Sequence, residues 1–342
     1  MKSIQFTSQL VSIIAIVFIL IIGKSIVLPF LFAMLIYLVI RSTHRFLNKN
    51  KLVKKYIPSW FKNIFSAIII FSLLGFILNT IIINAKNLSF SFQKYTLNIH
   101  WLTSTIEKKL QINLSQTIEQ GLEKFDVSHF INPILNSIGS FAGNFILILF
   151  YVIFLIIEET SFKNKIKLIV SDKSKLDSTN KLLNNIEHSI THYVGLKTLV
   201  SLISAITCFF ILLSFGVQSP FLWATLIFLL NYIPVVGAFL AVSLPFCFSI
   251  IQLGEFYQPC VLLLTLSIIQ LSIGNFIEPK IMGNSLNISP LVAIISLAIW
   301  GGIWGFVGMI VSVPITVILI IISAHFEKTK PIAILLSNKG EI

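Results

Sequence analysis

From residue 198 to 254 the chain runs for 57 residues without an Asp, Glu, Lys or Arg, and from 281 to 326 for another 46. A single helix needs only roughly 20 apolar residues to cross a bilayer. Runs of this length cannot be covered by a soluble core. With 56% hydrophobic and 11% charged residues, against roughly 25% charged in a soluble domain, the chain reads as all-α, a polytopic integral membrane protein. About eight transmembrane helices are expected, some broken or re-entrant.

The breaks are the informative part. Asn231, Pro234 and Gly237 fall together inside the first run, with Pro245 further on. Asn275, Glu278, Pro279, Lys280 and Gly283 form a second interruption, and Gly301, Gly302, Gly305 and Gly308 a third. Freed backbone groups and charges find no water in hydrocarbon, so such residues persist where protein or a wet cavity receives them. This stretch reads as the working part of a transporter.

The net charge of +12 is not a nucleic-acid signature. Arg41, Arg45, Lys49, Lys51, Lys54, Lys55 and Lys62 lie between two apolar runs with no acid among them, the usual mark of a cytoplasmic loop. No soluble module surrounds them, so no nucleic-acid partner is expected. Cys208, Cys247 and Cys260 sit in apolar runs, too few for a disulfide framework and without zinc-site spacing. The apolar start lacks a small-residue cleavage site and reads as a retained anchor or hairpin rather than a signal peptide.

Along the chain, residues 1–84 hold N-terminal transmembrane helices around the basic loop 41–62. Their first block, roughly 10–40, is too long for one straight span, at about 46 Å, and two short helices are expected to meet around Gly23 and Lys24. Residues 85–135 carry Leu102, Ile106, Leu110, Leu114, Ile118, Leu122 and Phe125 at helical spacing, an amphipathic segment placed outside the membrane. Residues 136–160 form a further span, with Gly139 and Gly143 at small-xxx-small spacing. Then follow a cytoplasmic connector 161–193, a C-terminal transport core 194–326 and a cytoplasmic tail 327–342. Both termini are expected in the cytoplasm. The interrupted blocks 10–40 and 221–254 are candidate counterparts in an inverted repeat. Block 290–325 must tilt, break or double back at its glycines.

Glu278 is the sharpest functional candidate. A carboxylate beside Pro279 at the end of an apolar span can bind a cation or take a proton; the plainer reading has it at the interface, paired with Lys280 or capping a helix. Asn231, Gln270 and Asn275 are candidates to line a path for a polar substrate, the plainer reading being hydrogen bonds between helices. Pro234, Gly237, Pro245, Pro279 and Gly283 are hinge or broken-helix candidates. Gly301, Gly302, Gly305 and Gly308 read as close-packing positions. His188 and His192, four apart beside Glu187, have metal-ligand spacing but no third strong ligand, so a solvated connector helix is the reading. Lys197 is expected to snorkel to the cytoplasmic surface. No metal or cofactor is called for. Without a phosphate loop or a nucleophile elbow, neither an ATP-driven pump nor a membrane hydrolase is indicated, and no enzymatic activity is expected.

The C-terminal region resembles the autoinducer-2 exporter family of bacterial inner-membrane permeases. The matching features are Asn231 through Gly237 with Pro245, Gln270, Asn275 through Gly283, then Ser289, Pro290 and Leu291, and the glycine-rich run ending in Gly308, Met309 and Pro314. Residues 193–197 also look like the family's entry to its fifth span. The resemblance implies a multi-pass inner-membrane transporter that forms homo-oligomers. It implies export of an autoinducer-2-like small polar solute or, alternatively, exchange of sodium for protons. A scaffold or partner subunit that moves nothing is the reading from another class.

Overall fold

The computed structural model describes residues 2–47, 55, 58–92, 95, 98, 104, 143–170, 172–282, 287–338 and 340. Among them there are helices and turns but no strand. Gly139, Gly283, Lys49, Lys51, Lys54 and the apolar positions from Leu102 to Phe125 lie outside the described residues. The helices are α1 (Lys2–Ile22), α2 (Lys24–Leu47), α3 (Ser59–Phe92), α4 (Phe145–Ile169), α5 (Lys173–Ser214) and α6 (Pro220–Leu230). They continue with α7 (Val236–Leu253), α8 (Tyr257–Ser272), a π turn (Ile273–Ile277), α9 (Glu278–Met282), α10 (Pro290–His325) and α11 (Lys330–Leu336). Among the described residues, seven helical stretches are long and apolar enough to cross a membrane. Their outward faces carry large apolar side chains such as Ile68, Phe154, Phe210 and Ile268, as lipid-facing helices do. The chain is a polytopic all-α membrane protein.

The backbone divides into two units. The first comprises Met1–Phe71, Ser140–Gly195 and Asn284–Ile342, the second Ser72–Gly139 and Leu196–Gly283.

In the first unit, α1 and α2 meet at Gly23. The Leu20 carbonyl there accepts the indole N–H of Trp304 at 2.9 Å, and a side chain reaching into the hydrogen-bond ladder is a recognised cause of a helix break. Helix α2 packs along α4 through buried Ala33 and Val152, with Phe30 edge-on to Tyr151. Arg41 and Arg45 belong to the last turns of α2 and Lys62 to α3, so these three sit on helices rather than in a loop. The Arg41 guanidinium reaches Glu187 at 2.8 Å and Glu159 at 3.4 Å, and Arg45 also pairs with Glu187. Glu187 is only 4% exposed. His188 and His192 are exposed and stack on one another at 5.7 Å, as a solvated connector helix allows, while Glu187 beside them is a buried carboxylate held by two guanidiniums.

Helix α10 doubles back. Gly305 has φ 65° and ψ −146°, a conformation close to glycine-only territory. It turns residues 290–304 onto residues 306–325, so the Ser296 hydroxyl donates to the Ser312 carbonyl at 3.1 Å and bonds Thr316. The four glycines therefore divide: Gly305 is the hinge. Gly308 and Gly301 lie against the opposite arm, at the Trp300 carbonyl and the Met309 side chain, while a Cβ at Gly302 would meet nothing. Close packing thus accounts for Gly301 and Gly308 only. Pro290 at the first helical position, after an extended Ser289, starts the hairpin as a first-turn proline does.

The second unit holds the second hairpin, α6 and α7. At about 16 Å, α6 reaches only half-way through a hydrocarbon layer of about 30 Å before turning over residues 231–235. The expected counterpart of this broken block in 10–40 is instead a pair of long helices; the hairpin in 290–325 is the feature it resembles. The base of the α6–α7 hairpin is clasped by polar side chains. Gln252 accepts from the Gln218 backbone at 2.7 Å and donates to the Gly216 carbonyl at 2.8 Å. Asn98 donates to the carbonyls of Ile251 and Gln252. Tyr95 bonds Gln218, and burial lifts its phenol above the usual value.

Candidate functional site

Over the second half of α5, Leu199, Leu202, Ile206, Phe210 and Leu213 are exposed, whereas the four residues Lys197, Ser201, Ser204 and Cys208 are buried, along with Val200, Ala205 and Leu212. The buried four recur at spacings of four, three and four, which places them on one stripe of the helix. The polar members of this mixed buried face turn to the bundle interior and away from lipid, as polar side chains of membrane helices do.

The α6–α7 tip and α8 meet that stripe. The hydroxyls of Tyr232 and Thr198 hydrogen-bond at 2.6 Å. Ser204 donates to Gln270 Oε1 at 3.0 Å, and Gln270 Nε2 donates to Asn231 Oδ1 in a long bond of 3.5 Å. Gln270 is buried. Two polar atoms in the row are buried with no partner, Asn231 Nδ2 and Ser201 Oγ. Buried polar groups are normally satisfied, and an orphan costs about 1–3 kcal/mol. An amide donor at one end of a hydrogen-bonded row and a hydroxyl on the neighbouring turn of α5 are left for a polar guest to use.

The turn itself explains the residue pattern. Val236 N–H donates to the Pro234 carbonyl at 2.6 Å, and Val235 between them has φ 60° and ψ −61°. That is a classic γ-turn, a rare and strained one, on a β-branched residue for which positive φ is an outlier. Gly237 then lies so close to α6 that a Cβ would stand 1.8 Å from the Leu230 carbonyl. Pro234 and Gly237 thus make the break. Pro245 does not: it is buried within an uninterrupted α7.

At the end of α8 the helix widens into the π turn before Pro279. Proline has no N–H to give the carbonyl four residues back, and its ring clashes with that carbonyl in a straight helix. The π register over 273–277 lets the chain continue into α9 without stopping. Glu278 opens α9, and its carboxylate is bound by the Lys197 ammonium, not by Lys280, which is exposed. The Lys197 side chain is 9% exposed and that of Glu278 29%. Lys197 is therefore an internal counter-ion rather than a snorkelling surface lysine.

Asn231 and Gln270 meet in a long hydrogen bond between helices, and Glu278 joins their helix bundle through Lys197. Asn275 does not join them; it is exposed on the π turn. Thr198, Ser201, Ser204 and Tyr232 are additions, and the four-three-four spacing of Lys197, Ser201, Ser204 and Cys208 is the signal that points to the stripe.

A sequence model of the AI-2E transporter family matches residues 10–328. A protein of Haemophilus influenzae with a provisional transport assignment is 27% identical over 323 residues, 92% of this chain and 91% of that one. The AI-2 transport protein TqsA of Escherichia coli is 31% identical over 280 residues, covering 77% of this chain and 80% of TqsA. A provisionally assigned transport protein of Borreliella burgdorferi is 35% identical over 217 residues, 61% of this chain and 58% of its own length.

Proposed function

The chain belongs to the AI-2E transporter family, and we propose that it is a secondary transporter exporting a small polar solute of autoinducer-2 type across the bacterial inner membrane. One observation carries this reading: a polar row of Ser201, Ser204, Gln270 and Asn231 on helices that meet at the α6–α7 turn, with two buried polar atoms that have no hydrogen-bond partner. A polyhydroxylated solute offers the donors and acceptors that Asn231 Nδ2 and the Ser201 hydroxyl lack. In this reading Asn231 and Gln270 line the path, Glu278 couples transport to an ion, and the strained 231–235 turn moves between access states. Asn275, on the exposed π turn, has a weaker claim to the path. Both termini lie in the cytoplasm, and the working form is a homo-oligomer.

The Lys197–Glu278 pair favours a second reading, sodium/proton exchange at the same acid. Proteoliposomes with an internal pH dye separate the two. A pH change on sodium addition alone, lost in Glu278→Gln, supports the antiporter. Solute flux that Gln270→Ala abolishes supports the exporter, and neither signal from folded protein supports a scaffold.

A further inference from the structure

Resting on the transporter reading, we infer that Lys197 is a tethered cation that holds Glu278 while the site is empty and is displaced one-for-one by a free monovalent cation. An uncompensated carboxylate in a low-dielectric setting is costly, and removing one member of a buried pair is far worse than keeping both. Lys197 neutralises Glu278 from a buried position on α5. The pair is asymmetric in access: the carboxylate side chain is 29% exposed and the lysine 9%. An entering cation therefore meets the carboxylate first and takes the ammonium's place.

Displacement leaves the ammonium needing an acceptor. The Ser201 hydroxyl, one helical turn along the same buried stripe, has no partner and offers lone pairs. Near the pair, these elements carry Lys280, which is exposed, Tyr193, buried one turn before Lys197, Tyr232, whose hydroxyl is engaged by Thr198, and Cys208 further along the stripe. The other carboxylates of α5, Asp177 and Glu187, lie earlier on the helix, and Glu187 is held by Arg41 and Arg45. The exchange is thus set by one acid and one tethered base, and the ligand is any monovalent cation that neutralises a carboxylate, sodium or a proton.

The test is thermal unfolding of the purified full-length protein in detergent. Sodium chloride is titrated against choline chloride at fixed pH, and pH is titrated in choline chloride. Removing the tethered competitor in Lys197→Gln should lower the cation concentration giving half the thermal shift by roughly tenfold, a change worth about 1.4 kcal/mol. Glu278→Gln should abolish the shift. A response in the sodium arm identifies a metal cation; a response confined to the pH arm identifies a proton. Lys197→Arg keeps the charge and grips a carboxylate through its fork, so it should raise the half-point instead, and it serves if Lys197→Gln does not fold. Superimposable titrations of wild type and either folded Lys197 variant would overturn the inference. Flux in proteoliposomes is scored on the same preparations: wild type inactive with every solute and ion defeats the transporter reading, whereas active protein whose cation response ignores Lys197 defeats only the tethered-cation inference.

Discussion

Gly308 lies so close to the carbonyl of Trp300 that a Cβ there would stand 2.0 Å from the oxygen. These residues are eight apart in sequence, and only the reversal at Gly305 brings them together. Gly308→Ala should push the arms of the hairpin apart at a cost of about 1–3 kcal/mol or more, since the obstacle is backbone. Gly305→Ala adds a Cβ at a positive φ, where strain costs about 1–3 kcal/mol. Gly302→Ala meets nothing within 4 Å and should stay within about 0.5 kcal/mol of wild type. Thermal midpoints of the three variants in detergent check the order.

The tip of the other hairpin gives the opposite sign. Val235→Gly removes a β-branched residue from the γ-turn, where strain costs about 1–3 kcal/mol, against about 1 kcal/mol of added backbone entropy. The expected midpoint equals or exceeds that of wild type. Gly237→Ala, facing the Leu230 carbonyl, should lower it. A fall in Val235→Gly as large as in Gly237→Ala would show that the turn is not strained.

Within the polar row, stability and transport should separate. Hydrogen bonds between membrane helices are worth about 0.6 kcal/mol on average, so Gln270→Ala and Ser204→Ala should change thermal midpoints little. Solute flux should nevertheless fall roughly tenfold in Gln270→Ala, because the path loses its central amide; a factor of ten in rate corresponds to about 1.4 kcal/mol. Flux measured per folded molecule decides. Flux that falls only in step with stability would make the row a packing device.

The carboxylates of the first unit should differ sharply. Glu187 is buried and serves both Arg41 and Arg45, while Glu158 is half exposed and pairs with Lys165. Glu187→Gln should cost about 2 kcal/mol, below the roughly 3–5 kcal/mol of a fully buried pair because Arg45 is half exposed. Glu158→Gln should cost less than about 1 kcal/mol. Denaturation at low and high salt separates them further, since the exposed pair alone is screened.

Much of the site was legible residue by residue. Asn231, Pro234, Gly237 and Gln270 stand out because polar and helix-breaking residues in an apolar run need a receiving environment. The break at Gly23 and the reversal within 290–325 follow from lengths that no straight span accommodates. Other features were hidden. Pro245 looks like Pro234 in sequence yet is carried within a continuous helix. Asn275 looks like Gln270 yet falls on an exposed π turn, because Pro279 forces a change of helical register just before Glu278.

The sequence by itself determined that this chain is a bundle of membrane helices, where its apolar helices break, and which residues are too polar to face lipid. Those outcomes depend on length, hydropathy and backbone chemistry, which are local. Only the tertiary structure decided the partners: Lys197 for Glu278 rather than Lys280, Arg41 and Arg45 for Glu187, Thr198 for Tyr232, Trp304 for Leu20. A charge or a hydroxyl carries no address along the chain. Its partner is set by which helical faces are brought together, as the turn over residues 231–235 brings Tyr232 to Thr198.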